Sequence, residues 1–211
     1  MDFSKVKTIV FDVDGVLLEG RNPDGSYKWQ ENVEEDLGIK SHWMGEDLFG
    51  NESEIVNLLK GKVEFEDLFE KFRKKHNLNL DIEVFLKYWL DNDFKVEEQI
   101  LSIVRKLKNK GYRLFLGTNQ PIVRGEYFWK QKIFNSLFEK IFIPYYVGGY
   151  SKPEKEFYDF IEKETGIEKQ DFLFIDDVIK NVEAAVSNGW QGYHYVGYEK
   201  GYEDIFKELL K

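Results

Sequence analysis

Short runs of uninterrupted apolar residues recur along the chain, and each stops at an acidic or hydrogen-bonding residue. Residues 7–11 (Lys-Thr-Ile-Val-Phe) run into Asp12, 113–117 (Arg-Leu-Phe-Leu-Gly) into Thr118 and Asn119, and 172–175 (Phe-Leu-Phe-Ile) into Asp176 and Asp177. Runs this short, rich in β-branched and aromatic residues and closed by turn signals such as Asp14-Gly15, predict strands. Their lack of polar alternation suits strands buried on both faces, as in a parallel sheet. A last strand is predicted over 191–196.

Between these runs the apolar period changes to that of a helix. Val96, Ile100, Ile103, Val104 and Leu107 share one face over 96–110, and Gly111 stops them. A helix over 153–165 turns Phe157, Phe160 and Ile161 to one side before Gly166, with Pro153 as its first residue. A shorter helix over 181–188 closes at Gly189. A C-terminal helix turns Ile205, Leu209 and Leu210 inward. Buried strands alternating with amphipathic helices predict an α/β fold built on a parallel sheet.

The interval 16–93 differs. A polar loop, 19–25, is followed by helical patterns over 52–59, 65–75 and 82–90, without a convincing strand. The expected organisation is therefore a core made of 1–15 and 94–211, with an α-helical module of 16–93 inserted after the first strand. Phe65, Phe69 and Phe72 read as core packing of that module. Trp29, Trp43 and Trp129 suit a pocket wall or a core equally. His42 reads as a solvated or structurally bonded histidine. Tyr145, Tyr146 and Tyr150 either line an entrance or cover a sheet edge.

Composition narrows the chemistry. The 211 residues include no cysteine, which excludes disulfides, thiolate metal sites and cysteine nucleophiles. The three histidines, His42, His76 and His194, are scattered and lack zinc-site spacing. A net charge of -9 opposes general binding to nucleic acid or anionic membranes. No stretch approaches the roughly 18 apolar residues of a membrane span, and the first residues lack a signal-peptide pattern; a cytoplasmic protein is expected.

In open parallel sheets, ligands sit beyond the carboxyl ends of the strands. There the sequence places Asp12, Asp14, Thr118, Asn119, Asp176 and Asp177. Four carboxylates in one crevice repel one another unless a cation compensates, and an all-oxygen ligand set selects a hard ion such as Mg²⁺. A carboxylate can attack the phosphorus of a phosphate ester and form an aspartyl-phosphate. A second carboxyl two residues on can protonate the leaving oxygen and later deprotonate water. Thr118, Lys152 and the backbone N–H groups near Val13 can meet the charge on the phosphoryl oxygens. Each feature alone reads as a turn, a helix cap or a solvated lysine; their conjunction carries the argument.

The residues 11–16 (Phe-Asp-Val-Asp-Gly-Val) resemble motif I of the haloacid dehalogenase superfamily. Residues 116–119 resemble motif II, Ser151-Lys152-Pro153 motif III, and 174–177 motif IV, in order and over nearly the whole chain. The resemblance implies a Rossmann-like core with a mobile helical cap after motif I. It implies catalysis by Asp12 and Asp14, and phosphate binding by Thr118, Asn119 and Lys152. By the same resemblance Mg²⁺ is held by the Asp12 side chain, the Asp14 carbonyl and Asp177, with Asp176 in support. Asn181 is placed to hydrogen-bond that acidic pair. The expected activity is Mg²⁺-dependent hydrolysis of a small phosphomonoester, with a sugar phosphate favoured by frequency in the family. A phosphomutase of the beta-phosphoglucomutase type is the alternative, but Asp24 stands in the stretch where those enzymes carry a cap histidine. Asp14 itself opposes a dehalogenase, and a non-catalytic binding protein on this fold is the remaining reading. Oligomeric state is not legible.

Overall fold

The structure, a computed structural model, describes residues 3–19, 22, 26–197 and 202–211. Asp24 and most of the polar loop around it lie outside the described residues. Five parallel strands form one sheet in the order β3-β2-β1-β4-β5: β1 (Thr8–Phe11), β2 (Arg113–Gly117), β3 (Ile141–Phe142), β4 (Phe172–Asp176) and β5 (Gln191–His194). Phe11 is in register with Leu116 on one side and Ile175 on the other. The three apolar runs therefore end level, and the residues after them meet at one edge.

Side chains alternate across this sheet with the period of a strand. Ile9 and Phe11 enter a core shared with Leu116, Ile175 and helices α6 (Glu98–Asn109), α8 (Lys132–Leu137) and α11 (Tyr202–Leu209). Val10 and Phe174 point the other way, onto α9 (Lys155–Thr165) and α10 (Ile179–Ser187). α7 (Ile122–Lys130) completes the order. This is a Rossmann-like, three-layer α/β arrangement.

Several boundaries move from the sequence reading. β3 has only two residues, too few to show a period. α9 begins at Lys155 rather than at Pro153, because the loop before it is tied by Ser151, whose N–H and hydroxyl both donate to Glu154 Oε2 at 2.7 and 2.9 Å. α10 begins at Ile179, since the Asp176 carboxylate accepts from the Val178 N–H at 2.7 Å and closes the turn before it. Val96 lies ahead of α6 and pairs with Leu18 instead.

The helical interval builds its own core. Its elements are α1 (Val33–Leu37), α2 (Ser41–Trp43) running into a π turn at Met44–Leu48, α3 (Glu52–Leu59), α4 (Phe65–Lys75) and α5 (Ile82–Asp93). Phe65, Phe69 and Phe72 are buried in it, together with Trp29, Phe85 and Trp89. The Phe69 and Phe85 rings stack at 4.8 Å between centroids. Val16, Leu17 and Leu18 pack with the sheet instead. Trp43 stacks on His76 at 3.9 Å, Trp129 packs against the sheet core, and His42 is exposed. Tyr145, Tyr146 and Tyr150 are exposed. No described helix is long and apolar enough to cross a membrane.

Candidate active site

Because the strands end in register, Asp12, Thr118 and Asp177 meet in a crevice of about 300 Å³, also lined by Asp14, Gly15, Asn119 and Lys152, with Asp176 fully buried beside it. Asp12 is buried at 5 % exposure, and its Oδ1 accepts from the Val13 N–H at 2.7 Å. Lys152 is equally buried and bridges two carboxylates, with Nζ 2.9 Å from Asp12 Oδ1 and 2.6 Å from Asp176 Oδ2. A buried ammonium is tolerated only with such partners. Burial acts against the charge on Lys152, but Asp12 and Asp176 together hold its pKa above the usual lysine value.

Asp176 is fully committed. Besides Lys152 it accepts from the Val178 N–H and from Asn181 Nδ2 at 3.1 Å to each oxygen. Asn181 is in turn fixed by the Tyr158 hydroxyl, which donates to the Asn181 carbonyl at 2.8 Å. Asp177 follows with its carboxylate over the backbone of Gly15. A Cβ on Gly15, which has φ +69°, would come within 2.3 Å of Asp177 Oδ2.

Oxygens of Asp12, Asp176 and Asp177 lie within 4.8 Å of one another. Burial, partly opposed by Lys152 and reinforced by the charges of Asp176 and Asp14, raises the Asp12 pKa to about 7. Desolvation within the crevice and the charge of Asp176 raise Asp177 to about 6. Carboxylates strained toward protonation in this way are what a divalent cation relieves. The donor set is all oxygen, so the residues fit a hard ion. Asp176 already satisfies three other groups, which leaves Asp12 and Asp177 as the side chains suited to hold it.

Two placements differ from a direct reading of the motifs. Asn119 lines the crevice but commits its amide to Lys152: its Nδ2 donates to the Lys152 carbonyl at 2.9 Å and its Oδ1 accepts from the Lys152 N–H at 2.9 Å. It thereby fixes the backbone that carries the buried ammonium. Asp14 is gripped from the side. Arg124 Nη1 and Nη2 donate to its two oxygens at 2.7 Å each, and Gln120 Nε2 donates to Oδ2 at 2.7 Å. Burial alone would raise the Asp14 pKa, but Arg124 and Gln120 hold it below the usual carboxylate range.

Arg124 and Gln120 are the residues that sequence reasoning missed. Arg124 is buried on α7, stacks over Phe128 at 4.6 Å, and also donates from Nε to Asp93 Oδ2 at 2.5 Å. Asp93 is the last residue of α5, so one guanidinium joins the sheet layer to the helical module. Gln120 follows motif II directly, and that adjacency was the one signal for it. A single arginine in a helix carries none.

The sequence profile of haloacid dehalogenase-like hydrolases matches residues 6–189. Among curated proteins, the chain is 24 % identical to a sesquiterpene phosphatase from Aspergillus oryzae, over 89 % of each chain. It is also 24 % identical to a D-ribitol-5-phosphate phosphatase from Bacteroides thetaiotaomicron, over 89 % of this chain and 91 % of that one. Among solved structures, a haloacid dehalogenase family enzyme from Bacteroides thetaiotaomicron, crystallised with magnesium and inorganic phosphate, superposes with a TM-score of 0.75. It shares 19 % identity over 95 % of this chain and 98 % of that one. An L-2-haloacid dehalogenase from Xanthobacter autotrophicus shares the fold at TM-score 0.65 and 14 % identity, over 97 % of this chain and 88 % of that one.

Proposed function

Because the chain belongs to the haloacid dehalogenase-like hydrolases, we propose that it is a Mg²⁺-dependent phosphatase acting on a small phosphomonoester. The observation that carries this reading is Asp12, buried at the end of β1 beside the Lys152 ammonium and within the acidic cluster. Two relatives over most of the chain are phosphatases. In this reading the Asp12 and Asp177 side chains and the Asp14 carbonyl would hold Mg²⁺, which would supply neutralisation of the negative charge in the crevice.

The chain's own residues do the rest. Lys152 and the Thr118 hydroxyl hold the phosphoryl oxygens. An Asp12 oxygen attacks phosphorus and the bond to the ester oxygen breaks. Asp14, held by Arg124 and Gln120 with its pKa lowered, gives the departing oxygen its proton only once that grip is released and a phosphate dianion alongside has favoured its protonated form. Asp14 then takes a proton from water, whose oxygen attacks the phosphorus of the aspartyl-phosphate. The acyl–phosphate bond breaks, and inorganic phosphate and the Asp12 carboxylate are restored. The helical module beyond Leu18 acts as the cap, excluding water from the crevice.

The test is release of phosphate from a panel of small phosphomonoesters by the native protein and by Asp12→Asn, with Mg²⁺ and with excess EDTA. Metal-dependent release that Asp12→Asn lacks is expected. Turnover surviving in Asp12→Asn would sink the assignment of the nucleophile.

A further inference from the structure

The polar crevice opens into a second chamber of a different character. It has a volume of about 240 Å³ and lies between the helical module and the end of the sheet. Asp14, Tyr27, Asn119 and Gln120 line both spaces, so a molecule with its phosphate in the first extends into the second. Trp29, Phe49, Ile55, Leu58, Leu59 and Trp89 form the far wall. Trp29, Leu58 and Trp89 belong to the module's own buried core, with Phe49 and Ile55 packed against it. The wall is thus largely apolar and backed by packed side chains.

A sugar needs hydrogen-bonding groups around its hydroxyls, and a site that leaves polar groups unpaired is penalised for it. Here Asp14, Gln120, Arg124 and Asn119, which border the chamber, are engaged in hydrogen bonds within the protein. Gln120 donates to Asp14 and Thr118 and accepts from Arg124. Arg124 holds Asp14 and Asp93, and Asn119 holds the Lys152 backbone. Apart from the indole N–H groups of Trp29 and Trp89, the side chains of the wall beyond them carry no polar atom. An apolar cavity of about 150 Å³ accepts a benzene ring; by that scale this chamber takes on the order of ten carbon atoms.

We propose that the chamber selects phosphate monoesters of apolar alcohols, alkyl, prenyl or aryl, over sugar phosphates of similar size. This deepens the phosphatase reading and rests on it only for the turnover part of its test. Burying a methylene changes affinity about fourfold at about 0.8 kcal/mol each.

The experiment uses two homologous series, n-alkyl phosphates and the non-hydrolysable n-alkylphosphonates, from methyl to decyl. kcat/KM is measured for the esters and Kd, by calorimetry with Mg²⁺ present, for the phosphonates. Both are expected to improve about fourfold per methylene and to level off once the chamber is full, with pentose and hexose phosphates below the alkyl esters of equal size. Ile55→Asn lowers the slope; Leu59→Asn serves if the first variant does not fold, and the native series carries the test without either. Flat series, or preference for the sugar phosphate, overturn the proposal. If no ester turns over while the phosphonate slope holds, the phosphatase reading falls and the chamber stands. If esters turn over without a slope in either series, the reverse is true.

Discussion

Arg124→Met removes one buried guanidinium and with it two ion pairs. Arg124 is 6 % exposed; its partner Asp93 has a side chain only 9 % exposed, whereas that of Asp14 is 40 % exposed. Water can re-solvate Asp14 but not Asp93, so the penalty falls on Asp93. Stranding one partner of a buried pair costs about 3–5 kcal/mol. For a chain of this size each kcal/mol moves Tm by about 2–4 °C, which gives a fall of about 6–20 °C. Burial raises the Asp93 pKa and Arg124 opposes that rise. Without Arg124 the folded pKa climbs further above its unfolded value, so the neutral carboxyl is tolerated at low pH and that relief is lost as pH rises through the folded pKa. The deficit of Arg124→Met in thermal melts is therefore larger at pH 8 than at pH 5. Adding Asp93→Asn recovers about 0.5–3 kcal/mol relative to the sum of the single variants. Additive single variants with a deficit independent of pH would refute the idea that Asp93 depends on this guanidinium.

Three further outcomes follow from the same geometry. Gly15→Ala pushes a methyl against Asp177 Oδ2 from a left-handed backbone, so the Mg²⁺ concentration for half-maximal activity rises about 10–100-fold; an unchanged metal titration would remove Asp177 from the metal site. Asn119→Ala releases both backbone bonds to Lys152, each worth about 0.5–1.5 kcal/mol, and lowers kcat/KM for a phosphomonoester together with Tm; a fall in Tm alone would leave Asn119 purely structural. The raised pKa values of Asp12 and Asp177 stabilise the metal-free protein at low pH, and this is lost as pH rises through about 6 to about 7. Mg²⁺ competes with those protons, so its Tm gain at fixed concentration grows from pH 5 to pH 8; a gain that is flat with pH contradicts ion binding at these carboxylates.

The sheet was legible in the sequence because its central strands are buried on both faces, and an uninterrupted apolar run four or five residues long, closed by turn residues, suits little besides such a strand. The same rule failed at β3, where two residues cannot display a pattern. Motif spacing led to Asp12, Lys152 and the Asp176–Asp177 pair, since each directly follows a strand or precedes a helix. It could not say that Asn119 would turn back onto Lys152, which depends on how two loops meet. Arg124 and Asp93 pair across 31 residues, through the docking of α7 on α5, and no local pattern encodes that. The helices between Val33 and Leu48 escaped notice because each is too short for its periodicity to rise above chance.

The chain leaves the sheet and rejoins it at one place, where Leu18 pairs with Val96. The described residues between are closed into a loop by that clasp and tied to the core again by Asp93–Arg124 and Lys60–Glu154. The entropy of closing such a loop grows only logarithmically, about 0.6 kcal/mol for each doubling of its length. Residues can therefore be gained or lost in the module at little expense to the sheet, provided the clasp and the Asp93–Arg124 tie survive. Asp12, the proposed nucleophile, stands on one side of that clasp and most of the wall of the apolar chamber on the other. A lineage carrying this fold can thus exchange one leaving-group chamber for another while its phosphorus chemistry stays untouched.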